Sequence, residues 1–581
     1  MSPSQLALFA AALGMSGAPA LHELILPEGK PDEPPEGAAA LARAYSLGYL
    51  SQLTAFMTAP QLSITSETFR MLGHSMAAGR SPQLQSLVLV MYDENPEEGV
   101  GALADAICGG MLSLLQSFQL VLFRTRGDAI STLGVALGGG VCPALEKLDL
   151  AWLEEGDEGA AGLAEGLGRG GLRSLRDLNL GVKCVGGGEG RGYTALGEAL
   201  STGKVHSLRN LTLFLYLDPG LAPLCEGLSR GRVAPPVRLH LHLSGNNRNG
   251  EIGVRRLAEI TRGGKLSGLH KLVFGCSGGA ISREAWREFG EALTHAEASL
   301  NSLERLRVIR SPDLEWFTPF LSGLARGSGR LPAFCDLFCD NRSPISPQAA
   351  HSVSALVSRG SVPFLRDLEV NVSNIGQEGM QAFASALGSP HVSALRRLDI
   401  AIGGSVHANS AVHVQMFSNA LSSRHLRRLE TLCVRGVGFV QEIRTLCVGL
   451  GSGQLAALRE LRICDSHLGA EGGSVLSKVL VAEKLPCSES FEAHEAELTD
   501  GGVSALTETW MSHPPPPIRH LNLWGNELTA AAAEALLGLL GLKRLSLLES
   551  MILRSQFDFD ERSRRLLSGL FPEIVEFREH Y

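Results

Sequence analysis

LRDLEVNVSNIGQEGMQAFASALGSPHVSALRRLDI, from Leu365 to Ile400, is the stretch that decides how the rest of the chain is read. It opens and closes on one pattern, L-x-x-L-x-L with other apolar residues allowed, as LRDLEV at Leu365 and LRRLDI at Leu395. Side chains alternate along a strand, so positions 4 and 6 of each run point into a core and position 5 points to the opposite face. Between the two runs, Met380, Phe383, Ala384 and Leu387 recur at helical spacing. They mark one buried face of a helix of about 10–14 residues. Glycine after the helix suits its C-terminus. The unit therefore reads strand, turn, helix, turn, and the helix is the crossover that two parallel strands require.

The same unit fills the chain. Its strand half begins at Leu21, Leu53, Leu84, Leu115, Leu145, Leu175, Leu208, Arg238, Leu269, Leu303, Phe334, Leu365, Leu395, Leu429, Leu458, Ser488, Ile518 and Leu542. That is 18 units spaced 29–34 residues apart, with a final step of 24. A helix takes ~10 Å between neighbours and a strand ~4.8 Å, so the stack is expected to curve, strands inside and helices outside. By length alone, 581 residues suggest about four domains. The repeat replaces that with one elongated array over 1–556 and a charged, aromatic C-terminal cap over 557–581.

This pattern closely resembles the leucine-rich repeat family, in its ribonuclease-inhibitor-like class. The likeness rests on L-x-x-L-x-L followed by (I/L)G-x-x-G-x-x-x-L-x-x-A-L, and it covers nearly the whole chain. It implies an α/β horseshoe solenoid with parallel strands on the concave face and helices on the convex face. The family's asparagine after the strand is present at Asn246 and Asn526, while Ser311, Ser373 and Ser466 stand in its place in other units. By resemblance, the function is that of a non-catalytic protein-binding scaffold. The same class also occurs in GTPase-activating proteins for Ran and in the sensor portion of NLR-type receptors, which leaves both as alternatives.

Composition agrees with a packed repeat protein. Apolar residues are 44%, charged residues 19% and aromatics 6%, a mix that excludes a disordered chain. The 67 glycines follow no G-x-y period, so collagen is excluded, and they are read as serving the two turns of each unit. A net charge of -8 gives no general pull toward nucleic acid or an anionic membrane. The 11 cysteines form no CxxC; the closest pair is Cys335 and Cys339. They are read as free thiols packed as small hydrophobes in a cytoplasmic protein. The first twenty residues imitate a signal peptide, yet no Lys or Arg precedes Leu6–Met15, and Gln5–Gly14 also fits the helix half of a unit.

Motifs for chemistry fail on inspection. Gly186–Gly192 has no register for G-x-G-x-x-G. Gly203-Lys204 has Glu198 where a phosphate loop needs glycine, and His494-Glu495 lacks a second histidine. No catalytic residue, metal site or cofactor is expected. The sequons at Asn210, Asn341 and Asn371 are read as chance, and Pro514–Pro517 as a linker. Binding is expected on the concave face, where exposed aromatics and arginines make the strongest contacts. The candidate residues are Trp152, Phe214, His242, Arg307, Glu369, Asp399, Arg462 and Trp524. The expected partner is a protein, with no nucleic acid and no membrane, and the chain is expected to be a monomer.

Overall fold

The computed structural model describes residues 21–26, 36–58, 65–91, 96–125, 127–154, 157–184, 190–201, 205–216, 220–231, 237–245, 250–276, 281–309, 315–339, 343–403, 410–526, 528–554 and 561–578. Residues 1–20, Gly186–Gly188, Gly203-Lys204, Asn246, Ser311 and Asn341-Arg342 lie outside this set. Two compact units emerge, residues 1–303 and 304–581.

The first unit carries β1 (Glu23–Leu26), β2 (Ala55–Thr58), β3 (Ser86–Met91), β4 (Ser117–Thr125), β5 (Lys147–Glu154), β6 (Asp177–Cys184), β7 (Asn210–Tyr216), β8 (Arg238–Gly245) and β9 (Leu269–Cys276). The second carries β10 (Arg305–Val308), β11 (Asp336–Cys339), β12 (Asp367–Asn371), β13 (Arg397–Ala401), β14 (Thr431–Arg435), β15 (Glu460–Cys464), β16 (Ser490–Glu492), β17 (His520–Asn522), β18 (Ser550–Arg554) and β19 (Val575–Arg578). Each strand pairs in parallel with the next of its unit, and a helix intervenes between successive strands. The chain is an α/β strand–helix solenoid within each unit.

The deciding stretch folds as its spacing predicts. Leu368 and Val370 are buried, and so are Met380, Phe383, Ala384 and Leu387 on the helix Gly376–Leu387. Leucines stack through the second unit in one column, Leu368 beside Leu398, Leu432, Leu461, Phe491, Leu521 and Met551. Consecutive units are also joined before the strands, where one carbonyl takes two amides. Arg396 N–H and Arg397 N–H donate to Arg366 O at 2.8 and 2.9 Å, and Glu430 N–H and Thr431 N–H to Arg396 O at 2.7 and 2.9 Å. Left-handed glycines close some helices: Gly79 (φ 74°) and Gly110 (φ 72°) place their N–H groups 2.9 Å from Met76 O and Ile107 O.

Two registers differ from the sequence reading. The last run, LKRLSL at Leu542, is not a strand. Lys543 turns at φ 53°, Leu542 is exposed, and β18 begins further on, at Ser550. The column therefore continues through Met551 and Leu553, and the short step falls between β18 and β19. The segment read as a cap over 557–581 holds the helix Glu561–Leu570 and β19, which extends the alternation by one unit. In the eighth unit, Leu211 and Leu213 pair with Leu239 and Leu241, so the motif's frame sits two residues earlier than Arg238 implies. A register irregularity between Leu239 and His240 then adjusts β8 to β9.

Glycine is used differently from the turn reading alone. Many glycines lie inside helices, where the neighbouring helix rests on bare backbone. The helix Gly127–Gly138 offers Gly134 and Gly138, and the next helix, Glu158–Gly168, offers Gly162 and Gly166. A Cβ on Gly134 would lie 2.6 Å from Leu163 Cα, and one on Gly166 would overlap the Gly134 carbonyl oxygen. Gly197 and Gly227 interlock the following two helices in the same way.

Candidate functional site

The strand face is the surface on which the repeats place side chains in rows. Strand pairing fixes which residues share a row, so the face can be followed from strand to strand.

In the second unit the central row runs Arg307, Phe338, Glu369, Asp399, Cys433, Arg462, Glu492 and Asn522. Its charges are largely answered within the face. Arg307 donates from Nε to Asp336 at 2.9 Å, and its guanidinium lies 5.5 Å from the Phe338 ring centre. These groups, with Asp367, Glu369 and Arg397, line a depression of about 300 Å³. Burial, with the nearby Asp336 charge, raises the Asp367 carboxyl above its ordinary range. Asp399 is 2% exposed and pairs with Arg435 at 3.0 Å. Arg462 pairs with Glu460, and with Glu492 at 3.5 Å. A second depression, of about 370 Å³, is lined by Glu460, Glu489, Glu492, His520 and Asn522 among others. Burial works to raise the Glu492 carboxyl, but the His494 ring, Arg462 and Asn522 outweigh it and leave it lowered.

The sequence reading missed a buried cluster beside this row. Cys464 Sγ lies 3.2 Å from His494 Nδ1, and Cys433 hydrogen-bonds the same thiol. Cys433 stands in the central row yet is 2% exposed, and Cys464 is 1% exposed. The Cys433 hydrogen bond, then burial, push the Cys464 thiol far above its usual range, opposite to what a nucleophile needs. The clue in the sequence is that Cys464 and His494 each fall two residues past the row of Cys433, at the end of β15 and just beyond β16. Elsewhere burial raises Cys447 to about 12, as expected of a packing thiol. Among the described residues, no three His, Cys, Asp or Glu side chains gather as a metal site.

In the first unit the central row runs Val88, Gln119, Asp149, Asn179, Thr212, His240 and Lys271. The row beside it runs Val121, Ala151, Gly181, Phe214, His242 and Val273. Phe214 is 42% exposed, and its ring centre lies 4.4 Å from that of His242. His242 therefore flanks the central row, and His240 occupies it. Burial, with Lys271 and His240 nearby, lowers the His242 imidazole to about 4. His242 is expected to titrate near pH 4 by NMR, with the signal assigned by its loss in His242→Gln. The sign follows from linkage: a histidine ordinary when unfolded and depressed when folded leaves stability intact above about pH 6.5. Stability then falls as pH drops toward the folded value, because the unfolded chain takes up the proton first.

The eight expected contact residues do not converge on one place. Phe214 and His242 meet in the first unit, and Arg307 and Glu369 line one depression in the second. Arg462 stands on the same face, while Asp399 is covered by its neighbours. Two aromatics were misplaced by the motif. Trp152 is 1% exposed, because β5 runs past the six-residue motif and position 8 points inward like positions 4 and 6. Leu122, Leu215 and Leu243 are buried on the same principle. Trp524 is mostly buried for the opposite reason. β17 ends at Asn522, whose Oδ1 accepts from Trp524 N–H at 3.0 Å, so the chain turns before the indole can lie on the face.

Two of the three sequons lie among the described residues, and there the asparagine side chain is engaged within the fold. Asn210 donates to Asp177 Oδ1 at 2.5 Å, and Asn371 Oδ1 accepts from Ser373 N–H and Oγ–H. Among the described residues, no helix is long and apolar enough to cross a membrane. No protein-family model matches the chain, and no curated protein matches it. Among solved structures, the chain is similar to a structural-genomics protein from Bacteroides fragilis at 12% identity and a TM-score of 0.28, over 59% of this chain and 76% of that one. That overlap is too slight to transfer any property between the two.

Proposed function

We propose that this is a leucine-rich repeat protein of the ribonuclease-inhibitor-like class, acting as a non-catalytic, cytoplasmic protein-binding scaffold through its strand face. The observation that supports it is the face itself. Successive parallel strands set half-buried charged, polar and aromatic groups in fixed rows, and Arg307, Phe338 and Glu369 border an open depression. The ion pair with Asp336 holds Arg307 in place over the Phe338 ring before any partner arrives, which lowers the ordering cost of binding. Binding by such a face depends on side-chain complementarity rather than on a reacting group.

The test is affinity capture from cells with the wild-type chain and with Arg307→Glu/Glu369→Arg, each partner quantified by mass spectrometry. Loss of a discrete set of partners from the variant is expected. Undiminished capture of every partner overturns the reading.

A further inference from the structure

The two rows in the first unit differ in a way that selects a partner. At the middle of the outer row the side chains shrink: Ala151 and Gly181 stand between Val121 and the exposed ring of Phe214. A Cβ on Gly181 would lie 2.9 Å from Ala151 Cβ, so the chain itself cannot raise a side chain there and the row stays low at this point. The short side chains of Ala151 and Gly181 leave a low point, or notch, between Val121 and Phe214, beside a central row that is polar from Gln119 to Lys271. The inner row carries opposite charges on either side of it, with Asp149 on β5 and Lys271 on β9. Asp149 has an amide neighbour, Asn179 Nδ2 at 3.4 Å, and burial raises its carboxyl above the ordinary range. Lys147 offsets part of that cost, and a cation brought by a partner would offset more of it.

We infer that this notch, which rests on the protein-binding reading above, takes an extended peptide running across the strands from β5 to β9. Its lysine or arginine faces Asp149, its large apolar side chain fills the space over Gly181 against Phe214, and its carboxylate faces Lys271. The spacing is set by the fold. Adjacent strands lie ~4.8 Å apart, so the charged ends are roughly 19 Å apart across four strand steps. An extended peptide advances ~3.3 Å per residue and turns alternate side chains to one side. The pattern is therefore basic at i, apolar at i+2 and acidic near i+6.

The experiment is selection of phage-displayed random peptides on the full chain, followed by fluorescence polarisation of enriched peptides on variants. Enrichment of the basic–apolar–acidic order is expected. Phe214→Ser should weaken those peptides roughly tenfold or more. Lys271→Glu should exchange the preferred acid for a base. Both substituted side chains are partly exposed, and the thermal transition should match the wild type. Enriched peptides indifferent to both substitutions would overturn this placement while leaving the scaffold reading standing. Enriched peptides that respond to Phe214→Ser but lack the charge order would overturn the assigned partner chemistry.

Discussion

Gly166→Val is expected to destabilise the first unit by roughly 3 kcal/mol or more, at the upper end of overpacking costs. The usual escape from overpacking is rotation of a flexible neighbour, and none is available here. The atoms a side chain would meet belong to the backbone of the helix Gly127–Gly138, beginning with the Gly134 carbonyl. Relief requires the two helices to part, which opens the contacts of Leu133, Leu137, Leu163 and Leu167, all buried beside them. A matched control has the opposite sign. Gly538 lies in the helix Ala530–Gly541, and a Cβ added there would meet nothing within 4 Å. Gly538→Ala should therefore stabilise by up to ~1 kcal/mol through helix propensity. Urea unfolding followed by circular dichroism distinguishes the two. Equal shifts would show that glycine in these helices answers only to propensity.

Asn526→Ala is expected to cost about 2–4 kcal/mol, localised in the second unit. The Asn526 side chain is 1% exposed and serves four backbone groups of its own and the preceding repeat at 3.2 Å or less, with Trp524 O a fifth, more distant acceptor at 3.5 Å. Its Oδ1 accepts from Ala496 N–H at 3.2 Å and Leu498 N–H at 2.8 Å. Its Nδ2 donates to Ala493 O at 2.5 Å and Leu523 O at 2.9 Å. Alanine leaves all four groups buried without that partner. Asn526→Asp keeps the acceptor and loses the donors, so an intermediate loss is expected. Hydrogen exchange at Ala496 and Leu498 is the direct readout, and unchanged protection there would sink the account. Ser466 does part of this work in an earlier repeat, accepting from Val437 N–H at 3.2 Å and donating to Cys464 O at 2.7 Å. A hydroxyl thus replaces the amide with fewer bonds.

The alternation of strand and helix was legible because its signal repeats. Each buried leucine pair in a strand and each helical face recurs many times, and a weak case such as Phe491 is carried by its neighbours. The ends of elements were less legible. LKRLSL satisfies the motif as well as any true strand, and only the left-handed turn at Lys543 moves the strand on to Ser550. Strand length decided the fate of both tryptophans, since a motif of fixed length says nothing of where the chain leaves the sheet. The role of helical glycines was hidden for a different reason. Gly134 and Gly166 are far apart in sequence, and their need for space is a property of the pair.

That pairing has a mechanical consequence. A stack of repeats behaves as a row of joints, each with its own strength. Where helices mesh through bare glycine, from Gly127–Gly138 to Leu221–Ser229, consecutive joints are backed by backbone rather than by long, swivelling side chains. Under heat or tension a crack should start at other joints and stop on reaching this run, so that the segment survives as a single block after its surroundings have loosened.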